Sequence, residues 1–596
     1  MLTRRKATLA MLAAGAAPKL SFAQNKIRTI DDFFREFTDE WVRMSPNLAT
    51  SLRYFTGDEQ DVLERQLTSL SPAFSRARIQ LARKGLAELR KFDRAAMTET
   101  QRISAEVMAW QLEIAAAEEP YLDYTFPLEQ MNGWNVTAVE RFTVARGLAK
   151  PRDAENYVAA LGQVSERMEE AVAESRRLAA KNVMPPRFIL EATIKQMQGF
   201  VDPSPSQNPF VTAFAEKMAA LPESVAIPLA QREQLRADAE KIVGAQIYPA
   251  WKKAIATLQS QLPRSTNDAG LWRLKGGPEA YAYFLRRYTT TNLTADQIHE
   301  IGLQQVSRIE TQMDSLLRKL GRTAGTVKER IAKLTLDLEY PNPASEESRA
   351  QIMRDIDGII RDAEKRAALL FDLRPKAPVV AQPFPRFREA NAAANYNAPA
   401  PDGSRPGTFQ FPRRIERMTT FGLRSVVYHE TVPGHHFHIA LQVENKDLPR
   451  FMRVRALGGI SSITEGWGLY AERLAAESGW YGDDIEGQLG QLDAELFRAR
   501  RLVVDTGLHA KRWTRQQAID YGIEASEVER YAVYPGQACS YMIGELKILE
   551  LREKAQKALG SRFALREFHN VVLRAGSVPL QVLESQVDAY ISKWRG

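Results

Sequence analysis

The chain has 596 residues, of which 44% are apolar, 26% charged and 9% aromatic; this excludes a disordered or fibrous protein and points to a large helical body or several domains. A single cysteine, Cys539, excludes an internal disulfide framework and a zinc site built mainly of cysteines. The formal charge is +8, but four of the cations lie in an N-terminal leader and the remaining +4 gives no reason to expect nucleic acid as a partner.

Residues 1–23 combine a basic start (Arg4-Arg5-Lys6), an alanine-rich apolar run (Ala7 to Ala17) and a small-x-small site (Ser21-Phe22-Ala23). That layout predicts a secretory signal, and the paired arginines resemble a twin-arginine leader. The expected location is therefore periplasmic or secreted, by the twin-arginine or the Sec route. No cysteine follows the apolar run, which excludes a bacterial lipid anchor at this site. No later apolar run reaches the ~20 residues of a membrane helix, so no integral membrane segment is expected in the mature chain.

From residue 24 to 370 the pattern is helical. Ile103, Val107, Trp110 and Ile114 fall on one helical face, and similar windows run through Val164 to Ala180, Gln231 to Leu258 and Ala295 to Leu317. Pro185-Pro186, the Pro203 to Pro209 cluster, Pro263 and Gly276-Gly277-Pro278 mark the joints. No fixed-period repeat is present, which disfavours a solenoid. This region is expected to form a lid or channel wall over residues 371–596, which hold the catalytic part; the two together are compatible with one continuous domain.

Between Pro375 and Pro412 eight prolines interrupt the rhythm, around extended candidates at Val379-Val380-Ala381 and Thr408 to Phe411. Proline lacks an amide donor, so a small edge β element or loop system is expected near residues 376–412. An extended peptide can pair along such an edge. Helical patterning resumes at Arg414, and the fold class expected overall is mainly α.

Four of the seven histidines fall between His429 and His438, in the run His429-Glu430-Thr431-Val432-Pro433-Gly434-His435-His436-Phe437-His438. The helical His-Glu-x-x-His zinc motif is absent, because Pro433 stands four residues after His429. On a regular helix a residue six positions on lies roughly 120° off the face, and one seven on returns to within about 20°. A straight helix therefore nominates His436. A bulge at Pro433-Gly434 returns His435 instead, and spacing leaves the two open. Downstream, Glu465 and Glu472 share a helical face, so that one can ligate a metal while the other orients an imidazole.

Three motifs together, His429-Glu430-x-x-Pro433-Gly434-His435-His436, Glu465-Gly466-Trp467-x-x-Tyr470-x-Glu472 and Tyr534-Pro535-Gly536-Gln537-Ala538, resemble the family known as domain of unknown function 885, which is similar to the gluzincin metallopeptidases. The resemblance implies a large multi-helix metallopeptidase-like fold and a Zn2+ cofactor held by His429 and His435. It further implies Glu430 as general base and, by analogy, Glu465 as third ligand. The function it implies is hydrolysis of short peptides, with carboxypeptidase action one form of it; a zinc hydrolase of another amide or ester, or a metal-binding helical protein without catalysis, are the alternatives. Peptide hydrolysis also needs a donor for the oxyanion. His509, with Asp505 four residues earlier to orient it, and Tyr541 after a turn are the candidates. His299 and His569 read as surface or cap residues, Cys539 as inert packing, and Ser425 lacks a nucleophile-elbow pattern.

Overall fold

The computed structural model describes residues 28–384, 389, 393–400, 403, 405–414 and 418–595. The secretory-signal reading of residues 1–23 lies outside the described residues. The architecture is mainly α, with one three-stranded sheet among the described residues.

Six helices position the site. They are α1 (Ala295–Lys319), α2 (Leu423–Glu430), α3 (His435–Glu444), α4 (Ser461–Glu477), α5 (Ile485–Ala510) and α6 (Ser540–Leu559). Their ends follow local chemistry. Thr294 and Gln297 form a reciprocal capping box at the start of α1, and Arg318 and Lys319 complement the dipole at its end. Asp484 accepts from Gly487 N to cap α5. The windows expected as helices are helical, with Val164–Ala180 matching residue for residue.

Packing places these helices within one large apolar core. It takes in Phe33 and Trp41 near the start of the described chain, Ile309 and Met313 of α1, Trp467 of α4, and Leu583 and Ile591 near the end. Phe34 meets Phe451 at 5.5 Å between ring centroids, so the first helix braces the segment leading into α4. A second core, built on Tyr157, Phe210 and Trp251, holds together helices between residues 128 and 262. Helices α4 and α6 approach closely: a Cβ on Gly544 would stand 1.8 Å from the Ser462 carbonyl oxygen, so only glycine fits there.

The sheet has the order β1-β3-β2, with β1 (Val379–Pro383) parallel and β2 (Asn395–Asn397) antiparallel to β3 (Gly407–Phe411). The extended segment around Thr408–Phe411 is thus a central strand, where edge or loop character is the sequence expectation. Its own five residues contain no proline; Pro406 and Pro412 flank it, and Pro383 ends an edge strand, so every amide the ladder needs is kept.

Candidate metal centre

Glu430 ends α2 and His435 begins α3. The connection Thr431–Gly434 interrupts the helix outright, where a bulge was the expectation, because Thr431 (φ −117°, ψ −105°) and Gly434 (φ −80°, ψ −124°) both leave helical geometry. Gly434 passes so close to α2 that a Cβ would stand 2.0 Å from the His429 carbonyl oxygen. The Trp467 indole of α4 donates to the Pro433 carbonyl at 2.9 Å and ties the turn to the next helix.

This turn decides between the two histidines. His429, His435 and Glu465 place one donor atom each within 4.8 Å of one another. Glu465 Oε2 lies 3.5 Å from His429 Nε2 and 3.4 Å from His435 Nε2. Those separations are long for hydrogen bonds. They match the edge of a tetrahedron around zinc, about 3.4 Å for ligand distances of about 2.1 Å. The donor set, two imidazoles and a carboxylate, is also one that zinc takes in catalytic sites. His436 turns the other way: its Nδ1 accepts from the Tyr396 hydroxyl at 2.9 Å and its Nε2 donates to the Ala377 carbonyl at 3.0 Å, which fastens α3 to the sheet.

Behind the donors lies a chain of buried polar groups. His429 Nδ1 donates to Glu472 Oε1 at 2.7 Å, and the other Glu472 oxygen accepts from the Ser425 hydroxyl. Arg498 of α5 stands 3.8 Å from Glu472. This fixes the His429 tautomer and leaves Nε2 for a metal. Gly468 makes the fit possible, because a Cβ there would stand 2.6 Å from His429 Cε1 and 2.7 Å from Nε2.

Burial disfavours the charged His429 ring, yet the Glu465 and Glu472 carboxylates outweigh it and raise its pKa to about 9. Burial likewise pushes Glu465 up, but the His435 and His429 imidazoles hold its carboxyl well below the ordinary range. The cluster is built to hold positive charge between its members. Glu430, next in the chain to His429, is buried, its pKa raised by burial and only partly restored by His435 and His429.

Tyr541, near the start of α6, is brought to the cluster. Its ring centroid lies 6.5 Å from that of His429, and the Arg501 guanidinium stands 4.6 Å over its face. Among the described residues its hydroxyl has no hydrogen-bond partner. His509 is not brought there. Its Nδ1 accepts from Leu271 N at 3.1 Å and its Nε2 donates to the Tyr531 carbonyl at 3.0 Å, so neither nitrogen is free for an oxyanion. It also lies eleven residues along α5 from Arg498, roughly 16 Å of helix. Asp505 does not orient His509; it accepts from the Tyr281 hydroxyl at 2.6 Å and from Gly536 N at 3.0 Å.

Two other histidines depart from the surface reading. His569 is fully buried between the Tyr470 hydroxyl and the Leu370 carbonyl, and His299 is half-buried against Thr506. Cys539 is buried, as its apolar setting suggests. Ser425, Gly468, Arg498 and Arg501 carry no local signal of their role. Each is recognisable only from the group it faces across the fold.

The chain matches, over residues 46–587, the family described as bacterial protein of unknown function DUF885, and it belongs to that family. The crystal structure of a "putative lipoprotein" from Colwellia psychrerythraea is 31% identical, covers 95% of this chain and 100% of its own, and superposes with a TM-score of 0.89. A protein of the same description and of unknown function from Shewanella oneidensis shares the fold at 18% identity and a TM-score of 0.68, covering 94% of this chain and 99% of its own. No curated protein matches the chain. Among the described residues no helix is long and apolar enough to cross a membrane.

Proposed function

We propose that this DUF885 member is an exported zinc-dependent peptidase that hydrolyses short peptides. The observation that carries the proposal is the cluster of His429, His435 and Glu465, whose two imidazole–carboxylate separations fit the edge of a zinc tetrahedron, with the buried Glu430 carboxylate next in the chain to His429. A structural metal has no use for such a base. Export is supported by the leader pattern of residues 1–23 and by the description of the Colwellia relative as a "putative lipoprotein".

His429, His435 and Glu465 would hold the zinc, which when bound would supply a Lewis acid to acidify a water and polarise a peptide carbonyl. Glu430, its basicity increased by burial, takes the proton of the attacking water and passes it to the leaving amine. Glu472, held by Ser425 and Arg498, keeps His429 in the tautomer that presents Nε2. Tyr541 offers its unpartnered hydroxyl to the oxyanion that forms, in the role that His509 cannot fill. The reading of short peptides as substrates is supported by the packing of the N-terminal helices against the segment that leads into α4. Gln111 donates to the Gly458 carbonyl at 2.9 Å, and Arg450 donates to the Tyr54 carbonyl.

The test is metal content and hydrolysis of a mixed short-peptide library by the parent and by Glu430→Gln. One zinc per chain in both, with cleavage by the parent and a loss of ~100-fold or more in the variant, is the expected result. Zinc in both with no cleavage of any peptide refutes the peptidase assignment, and no metal in either refutes the metal centre.

A further inference from the structure

We infer that Arg501 is the positioning residue for Tyr541: its guanidinium holds the phenol ring in place beside the metal centre. The inference deepens the peptidase reading and rests on it for the use to which the hydroxyl is put.

Tyr541 needs such a hold. It is the second residue of α6, it is half-buried, and among the described residues no hydrogen bond ties its hydroxyl. A tyrosine with a free tip is oriented by what touches its ring. The His429 imidazole lies nearly parallel to that ring, at 21°, but with centroids 6.5 Å apart. The Arg501 guanidinium is closer, its central carbon 4.6 Å from the ring centroid. That is well inside the roughly 6 Å within which a cation is attracted to an aromatic face.

Arg501 is itself held from two helices. It is 6% exposed, and Phe497, one turn earlier on α5, packs its ring 4.4 Å from the guanidinium. Its Nε donates to the Tyr531 hydroxyl at 3.1 Å and its Nη2 to Glu527 Oε2 at 3.0 Å. Glu527 also accepts from Tyr531 at 2.9 Å and from Arg530 at 3.0 Å, and all three lie on the helix Ala525–Val533. The remaining nitrogen, Nη1, is buried and has no hydrogen-bond acceptor. A buried charged donor without an acceptor is costly, and the two aromatic faces are its partial compensation. Arg498, three residues earlier on α5, stands 3.8 Å from Glu472, the carboxylate that holds His429. Helix α5 therefore backs both His429 and Tyr541.

Charge matters here as well as contact. A cation over the ring favours negative charge on the phenol oxygen, which makes the hydroxyl a stronger hydrogen-bond donor. A donor to a developing oxyanion has to be both strong and fixed in advance. Methionine at this position fills space without charge. Lysine supplies charge but not the planar fork that Glu527 and Tyr531 hold.

The experiment has two arms, both on the full chain. In the first, crystal structures of the parent and of Arg501→Met are compared at Tyr541. The ring is expected to move by more than ~1 Å, or to spread over several rotamers, once the guanidinium is gone. Arg501→Gln, which keeps a planar polar head without the charge, takes its place should Arg501→Met not fold. A ring left where the parent has it overturns the inference, whether or not any peptide is hydrolysed. In the second arm, kcat for a substrate from the peptide library is expected to fall roughly 10–100-fold in Arg501→Met, with KM within about twofold of the parent's. Arg501→Lys should restore part of the loss. Made on Tyr541→Phe, the same substitution should cost no more than about twofold further, because the hydroxyl it positions is already absent. Equal losses with and without that hydroxyl overturn the inference. A displaced ring with no hydrolysis by any protein supports the positioning role, and the peptidase reading alone fails.

Discussion

Gly468→Ala tests the metal centre without touching a donor. A Cβ at residue 468 would stand 2.6 Å from His429 Cε1, 2.7 Å from Nε2 and 2.9 Å from Nδ1, against ordinary contact beginning at 3.4 Å. The ring must retreat by about 0.8 Å, more than the ~0.5 Å within which a working site holds its groups. Retreat is not free, because Glu472 lies one turn further along the same helix. Moving the ring away from α4 stretches the 2.7 Å bond to Glu472 towards about 3.5 Å, where a hydrogen bond is lost. Losing the orientation of a metal-bound histidine typically costs 10–100-fold in metal affinity, about 1.4–2.7 kcal/mol. Helix propensity acts the other way, by roughly 0.5–1 kcal/mol in favour of alanine. Zinc affinity by chelator competition therefore falls while thermal stability of the metal-free protein changes little. Gly358→Ala is the control, since its Cβ would meet nothing within 4 Å; its zinc affinity should equal the parent's. Gly468→Ala with unaltered zinc affinity would refute His429 as a ligand held by this packing.

His435→Ala should lose zinc, whereas His436→Ala should keep one zinc per chain and lower only the melting temperature; the reverse result by elemental analysis would exchange the two assignments. His509→Ala leaves the Leu271 amide and the Tyr531 carbonyl without partners, at about 2–4 kcal/mol of stability by denaturant titration, with zinc content and kcat of the folded fraction preserved; selective loss of kcat would restore His509 to the chemistry. In the metal-free protein the His429 pKa is raised from 6.5 to about 9, so its contribution is complete below ~6.5 and is lost as pH rises through about 9. Glu465, held below its usual 4.5, contributes above that value and loses its contribution in acid. The melting temperature of chelator-treated protein should fall between pH 7 and 10 by more than that of Glu465→Gln, and parallel curves would deny the pairing.

Much of this centre was legible in the sequence because its parts are local. His429, Glu430 and His435 lie within seven residues, and the crowding of histidines in a histidine-poor chain marks them before any fold is known. Helical windows were readable for the same reason, since 3.6-residue periodicity and capping residues are properties of adjacent positions. Glu465 and Glu472 were recognisable as a pair, but their division of labour was not. That depends on which imidazole nitrogen each carboxylate reaches across two helices.

Only the tertiary structure made the remaining decisions, because each concerns a partner distant in sequence. The choice of His435 over His436 was made by a broken turn that Gly434 permits and Trp467 holds. His509 has an aspartate four residues away, which suggests a catalytic pair, yet its ring nitrogens are claimed by residues 271 and 531. Composition and periodicity determined a mainly helical body, and the crowding of histidines marked one candidate metal cluster within it. Which side chains meet at that cluster is set by contacts between helices, which pairwise spacing along one chain does not encode.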